Sequence, residues 1–263
     1  MRKRVVTVAN ALAVFAALLL LWQLILWIFR VPPFMLPSPW AVAKAVVARF
    51  PSLLQSFAIT AEEAIGGILL SIVVGVGVAL IFAQSRWVRR MLYPWTLLLQ
   101  TVPIVAIAPL ILMWMGAGIF SVTLIAFIIS LAPIIANTTQ GLISVDENLV
   151  HLFLVHNASR AQILFKLRLP NSVPSLFVGI RIASGIAVIG AITGELYAGS
   201  SSVGRGGLGY SILYASSQLQ TDYLFALVLA ATALGFSFLF LVMFLEWYVL
   251  HRWHESARAP EAE

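Results

Sequence analysis

The sequence predicts an all-α polytopic membrane protein: six transmembrane helices with a polar, helical elbow between the fourth and fifth. Three observations carry this. Of 263 residues, 61% are hydrophobic and only 10% charged, against roughly 25% charge in a soluble domain. The apolar residues fall in runs of roughly 20, the length of a bilayer-spanning helix, and not in the alternating ten-residue segments of a barrel. Ser144–Pro174 is the one long, charged, helix-like stretch lying between two apolar runs. No separate soluble domain or repeat is visible, so residues 1–263 read as a single transmembrane domain.

The first span is expected at about 8–29, behind Met1-Arg-Lys-Arg4. A secretory signal would have a shorter apolar region and a small-residue cleavage site, whereas this run ends in Trp27-Ile-Phe-Arg30. A retained span with cationic and aromatic anchors is expected. Prolines at 32, 33, 37 and 39 then enforce an extended loop. Ser38-Pro39 opens a short amphipathic helix to about Arg49, with serine as cap and proline in the first turn.

The second span is expected at about 57–82. Gly67, Ser71, Gly75 and Ala79 recur every four residues on it, forming a small-residue seam for close helix contact. Gln84–Arg90 reads as a loop with three arginines. The third span, about 93–115, contains Pro103 and Pro109, which should kink it or free carbonyls toward a cavity. The fourth, about 119–143, carries Pro133 and a polar run Asn137-Thr-Thr-Gln140.

The elbow, residues 144–173, follows. Ser144-Val-Asp-Glu147 and Ser159-Arg-Ala-Gln162 both have the spacing of a capping box. Asn157, between them, tolerates the left-handed conformation that ends a helix. Two short helices joined by a tight turn are expected, stopped at Leu169-Pro170, since proline disfavours a helical residue before it. Such an elbow suits docking to a soluble partner, and equally an amphipathic pair lying on the lipid surface. The fifth span is expected at about 174–197. Ala198–Thr221, with Gly204-Arg-Gly-Gly-Leu-Gly209, reads as a flexible loop. The sixth span is expected at about 223–250, before a polar tail.

Six spans put both termini on one side. With the N-terminus inside, the inner segments hold Arg2, Lys3, Arg4, Arg86, Arg89, Arg90, Arg160, Lys166, Arg168, Arg252 and Arg258, and the outer ones only Arg30, Lys44, Arg49 and Arg205. This bias supports cytoplasmic termini and a cytoplasmic elbow. It also accounts for the net charge of +6 without nucleic acid.

Catalytic patterns are scarce. His151, His156, His251 and His254 lie in the elbow and tail, with no Asp or Glu at metal-ligand spacing buried in a span. Gly204–Gly209 has no preceding strand and no Lys-Ser/Thr, so it is no nucleotide fingerprint. No metal, cofactor or enzymatic activity is expected of this chain, and any ATP must be bound by another. The absence of cysteine removes thiol and disulfide chemistry.

Polar residues inside spans are the informative ones, because charge there is costly and faces a cavity or the bundle interior. Glu63 and Glu195 read as a structural pair or as pathway lining, and the neighbouring Glu62 as an interfacial residue reaching water. Arg181 reads as pathway lining or as a side chain snorkelling to the inner interface. It sits fourteen residues from Glu195, about 21 Å along the helix, so the two cannot pair. Gln100, Thr101, Asn137 and Thr138 offer hydrogen bonds to a pore or to a neighbouring helix.

The elbow resembles the coupling loop of ABC-importer permeases, whose motif is roughly E-A-A, three residues, G, nine residues, I-x-L-P. Leu167, Leu169 and Pro170 match its end, and Asn157 takes the glycine place. Asn157-Ala158-Ser159 stands where the nitrate/sulfonate/taurine-type branch commonly has G-A-S, whereas His151-Leu152-Phe153 departs from E-A-A. The resemblance runs from about Leu36 to Tyr248. It includes Leu36-Pro-Ser-Pro39, Gln100-Thr-Val-Pro-Ile104, Ala108-Pro-Leu110, Asn137–Gly141 and Gly179-Ile-Arg-Ile182. Glu63 and Ala187-Val-Ile-Gly-Ala-Ile-Thr-Gly-Glu195 look most like importers of thiamine-pyrimidine precursors or riboflavin. Sulfonate and nitrate members more often have arginine near position 63.

The resemblance implies a permease subunit in a prokaryotic inner (plasma) membrane, paired with a second copy or a close relative. A cytoplasmic ATPase and an extracytoplasmic substrate-binding protein would be its other partners. Val155, His156, Asn157, Ala158, Ser159, Arg160, Leu169 and Pro170 would make the ATPase contact. Glu63, Gln100, Asn137, Arg181 and Glu195 are the pathway candidates. The residues alone also admit an ion-coupled secondary transporter working without an ATPase, with Glu63, Glu195 or Arg181 as coupling group. Such transporters favour inverted repeats with paired broken helices, which this sequence does not display.

Overall fold

The computed structural model describes residues 2–199 and 206–251, and every regular element among them is helical. Met1, Gly204, Arg205, Arg252, His254 and Arg258, all used in the sequence reading, lie outside the described residues. The elements in order are α1 (Arg2–Phe29), α2 (Pro39–Ala48), α3 (Phe50–Gln84), α4 (Arg86–Leu98), α5 (Ile104–Met115) and α6 (Ile119–Ile143). They continue as α7 (Glu147–Val155), α8 (Arg160–Ile163), a π-helical turn (Leu164–Arg168), α9 (Leu169–Ala198), α10 (Leu208–Ser217) and α11 (Thr221–Leu250). Four stretches are long and apolar enough to cross a membrane: Phe50–Gln84, Ile119–Ile143, Arg160–Ala198 and Thr221–Leu250. Ala13–Phe29, Pro39–Ala48 and Ile104–Met115 are shorter apolar helices.

Helix α6 is the centre of the bundle, gripped between α3 and α9. Small residues make the grip close. A Cβ on Gly67 would stand 2.7 Å from that of Ala126, and one on Gly75 would stand 2.8 Å from Ile134 Cγ2. Between them Ser71 Oγ donates to the Phe127 carbonyl at 2.9 Å. With Ala79 also buried, the four-residue seam faces α6 as its spacing predicts. On the other side of α6, Gly141, Gly179, Gly190 and Gly194 of α6 and α9 leave no room for side chains between the two helices. The outer faces are apolar and exposed, as at Val73, Trp114 and Phe240, which is what lipid as the solvent requires.

Four expectations are corrected. The loop expected at Gln84–Arg90 is a one-residue break: Ser85 Oγ accepts from Val88 N and caps α4 immediately. The third span, expected over 93–115 with a kink or freed carbonyls at Pro103 and Pro109, is split outright into α4 and the 12-residue α5, and Pro109 lies inside α5 without breaking it. Pro103 has no N–H and displaces the residue before it from helical geometry, so the chain leaves α4 after Leu98 and restarts at Ile104. The stop expected at Leu169-Pro170 does not occur, and the helical run Arg160–Ala198 is continuous over 39 residues. A prolyl ring clashes with the carbonyl four residues back; the wider π turn at Leu164–Arg168 lies where that clash would arise and lets the helix pass. The flexible loop expected over 198–221 contains α10, whose Leu208, Gly209 and Ala215 are buried.

Candidate functional site

The elbow is built by caps. Ser144 ends α6, its Oγ donating to the Gly141 carbonyl at 3.2 Å. It does not open α7: Asp146 does, with Oδ1 accepting from Asn148 N at 2.8 Å. The nearer carboxylate thus replaces the expected Ser144–Glu147 box. Helix α7 has no buried residue. It ends at His156, and Asn157 turns the chain with φ 54°. Ala158 N closes the turn on the Phe153 carbonyl at 3.0 Å. Ser159 and Gln162 then form both halves of a capping box: Ser159 N donates to Gln162 Oε1 at 2.7 Å, and Gln162 N to Ser159 Oγ at 3.2 Å. Val155, His156, Asn157, Ser159 and Arg160 are exposed at the tip, while Ala158 is half-buried. Leu169 and Pro170 lie away from the tip, at the start of α9.

The second arm of the elbow is therefore the leading end of the longest helical run in the described residues. The tip is thus continuous, through that run, with the helix that lies along α6. The π turn is the one irregular joint between them.

The pathway candidates are not gathered in one place. Glu63 and Glu195 share a small cavity with Gly206 and Gly207, and both are buried. Glu195 Oε1 accepts from Thr60 Oγ1 at 2.7 Å and Oε2 from Gly209 N at 2.6 Å, while Thr60 Oγ1 also accepts from Leu208 N at 2.8 Å. One carboxylate and one hydroxyl thus satisfy the first amides of α10, which a helix start otherwise leaves without partners. Gly207 and Gly209 permit this approach, since a Cβ on either would overlap Glu195.

Arg181 is paired with Glu246 of α11. That ion pair ties α9 to α11, a contact that neither pathway lining nor snorkelling anticipated. Asn137 Nδ2 donates to the Pro133 carbonyl of its own helix at 2.8 Å. Gln100 is exposed in the break between α4 and α5.

Thr60, Gly207, Gly209 and Glu246 were not distinguished by sequence reasoning. A signal existed for Glu246, a lone carboxylate inside an apolar run. For the other three the only cue is small size.

Residues 67–254 match the family model described as the binding-protein-dependent transport system inner membrane component. A probable ABC transporter permease protein of Haemophilus influenzae is 32% identical over 92% of this chain and 95% of its own length. A riboflavin transport system permease protein of Chloroflexus aurantiacus is 34% identical over 91% of this chain and 88% of its own. A formylaminopyrimidine transport permease protein of Halalkalibacterium halodurans is 31% identical over 84% of this chain and 86% of its own. With four helices fit to cross a bilayer and a match over most of its length, this chain belongs to the binding-protein-dependent family of ABC transporter permeases, multi-pass proteins of the inner membrane.

Proposed function

We propose that the chain is the permease subunit of an ABC importer for a small organic solute, a thiamine-pyrimidine precursor or a riboflavin-like heterocycle in first place and a sulfonate, taurine or nitrate otherwise. Two copies, or this chain and a close relative, form the pathway across six spans per subunit, with both termini cytoplasmic in a prokaryotic cell. An extracytoplasmic binding protein delivers the solute, and a separate cytoplasmic ATPase supplies the work. The elbow tip, Val155 to Arg160, seats on that ATPase.

The observation that carries this reading is the unbroken helical run from Arg160 to Ala198. Moving the tip moves α9 against α6, and such a shift can alternate access only if the two arrangements differ in their contacts with the ATPase. The names of the riboflavin and formylaminopyrimidine relatives support the solute class. No observation favours an ion-coupled transporter working alone. The test is uptake in reconstituted vesicles, with labelled riboflavin or a pyrimidine precursor and the binding protein outside. Uptake that needs the ATPase and internal ATP is expected. Uptake that proceeds without the ATPase and collapses with an uncoupler would overturn the reading.

A further inference from the structure

A second feature lies beside the elbow, where α4 meets it. Helix α4 has two opposed faces at helical spacing. Trp87, Met91, Trp95 and Leu98 form one, and all four are exposed, Trp87 at 71% and Trp95 at 67%. Arg86, Arg89, Arg90 and Tyr93 form the other. An exposed aromatic and apolar stripe backed by arginines marks a helix lying in the membrane interface.

The arginine face opens on two cavities. One, of about 710 Å³, brings Arg86 and Arg89 together with Arg160 and Arg168 from the elbow, above an apolar wall that includes Leu164 and Phe165. The other, of about 540 Å³, is bordered by Arg86, Arg89, Arg90 and Tyr93. Arg168 Nη1 donates to the Ala83 carbonyl at 3.0 Å, but its Nε is buried without a partner. Among the described residues none of these arginines forms an ion pair. The nearby acids Asp146 and Glu147 stand at the start of α7 and line neither cavity.

We propose that the larger cavity binds a phosphate-type oxyanion, and that its source is the headgroup of an anionic phospholipid. Convergent guanidinium groups suit phosphate geometry. The interfacial stripe of α4 favours a lipid over a soluble anion: it sets the arginines at headgroup depth, with the apolar wall beside them for the first methylenes of an acyl chain. Cationic pockets at the edge of a helix bundle take anionic headgroups in this way. The lipid would wedge α4 against the elbow and brace the joint on which α9 moves. This bracing rests on the coupling reading above; the binding itself does not.

The test is native mass spectrometry of the full chain released from nanodiscs of phosphatidylglycerol mixed with phosphatidylcholine, first in phosphate-free buffer and then with inorganic phosphate added. The wild type is expected to retain phosphatidylglycerol selectively. Arg86→Gln with Arg89→Gln should lower that retention about thirtyfold, as two interfacial arginines would. Arg86→Lys with Arg89→Lys should keep most of it, which separates lost charge from lost fold. Lys44→Gln, an exposed cation on α2, should change nothing. Equal retention of both lipids, or retention unaffected by the Gln pair, would overturn the proposal. So would inorganic phosphate binding with no lipid preference, which would make the source a free anion. Loss of ATPase association in the Gln pair with lipid retention intact would instead assign the arginines to a protein partner, and would also overturn it. None of these readouts depends on uptake, so failure here is distinguishable from failure of the importer reading.

Discussion

Gly67 stands at a close contact between α3 and α6, and replacing it with alanine forces a side chain into that contact. The new Cβ would lie 2.7 Å from Ala126 Cβ, 2.9 Å from Phe127 N and 3.0 Å from Ala126 C. Carbon contacts are comfortable at about 3.5–4.0 Å, so the two helices must separate by about 1 Å. Two of the three atoms belong to the α6 backbone, so no rotamer change relieves the clash. Overpacking of this kind costs about 1–3 kcal/mol. The separation also stretches the bond from Ser71 Oγ to the Phe127 carbonyl, worth about 1 kcal/mol. A total of about 2–4 kcal/mol corresponds to a fall in Tm of roughly 5–10 °C for a chain of this size. Gly77→Ala, on the same helix with nothing within 4 Å of its Cβ, is the matched control and should not lower Tm. The assay is thermal unfolding of the detergent-solubilised chain, followed by tryptophan fluorescence. Gly67→Ala melting with Gly77→Ala would refute the packing argument.

Glu195→Ala should leave Gly209 N without its acceptor, while Leu208 N keeps Thr60 Oγ1, at a cost of about 1–3 kcal/mol; hydrogen exchange over 208–217 should rise about fivefold or more while α6 remains protected. Either Arg181→Met or Glu246→Met alone leaves an unpaired charge between α9 and α11 and should cut the yield of folded protein. The double replacement should recover most of it, since it removes both charges from the apolar spans together, and size-exclusion profiles report the result. Asn157→Gly should leave the elbow intact because its positive φ is free for glycine. Asn157→Val strains the turn by about 1–2 kcal/mol and should increase protease cleavage between 155 and 160.

Local chemistry was legible in the sequence, and pairing across the fold was not. The seam from Gly67 to Ala79 announces its buried face by spacing alone. Asn157 and Ser159 announce a turn and a cap because both effects act within three or four residues. Leu169-Pro170 misleads for the same reason: the rule about proline concerns its neighbours in an α-helix, while the π turn at Leu164–Arg168 changes the geometry to which the rule applies. Gly207 and Gly209 read as flexible because nothing nearby shows that Glu195, on another helix, needs their space. The pairing of Arg181 with Glu246 joins residues 65 positions apart, and helical periodicity carries no information about such a partner. Glu63, Gln100, Asn137, Arg181 and Glu195 each stand out as polar in an apolar run, yet Glu63 and Glu195 share a cavity while Arg181 pairs with Glu246 and Asn137 bonds within its own helix.

On the proposed function, the tip around Ala158 receives force from a separate ATPase and passes it through α9. The most direct measurement is co-purification of the partner ATPase with the full chain carrying Ala158→Arg, beside membrane insertion and solute uptake. Ala158 is half-buried in the turn, so a bulky cation there should block the seat, reducing ATPase recovery and uptake at least tenfold while the protein stays inserted. Full recovery of the ATPase together with undiminished uptake would contradict the account.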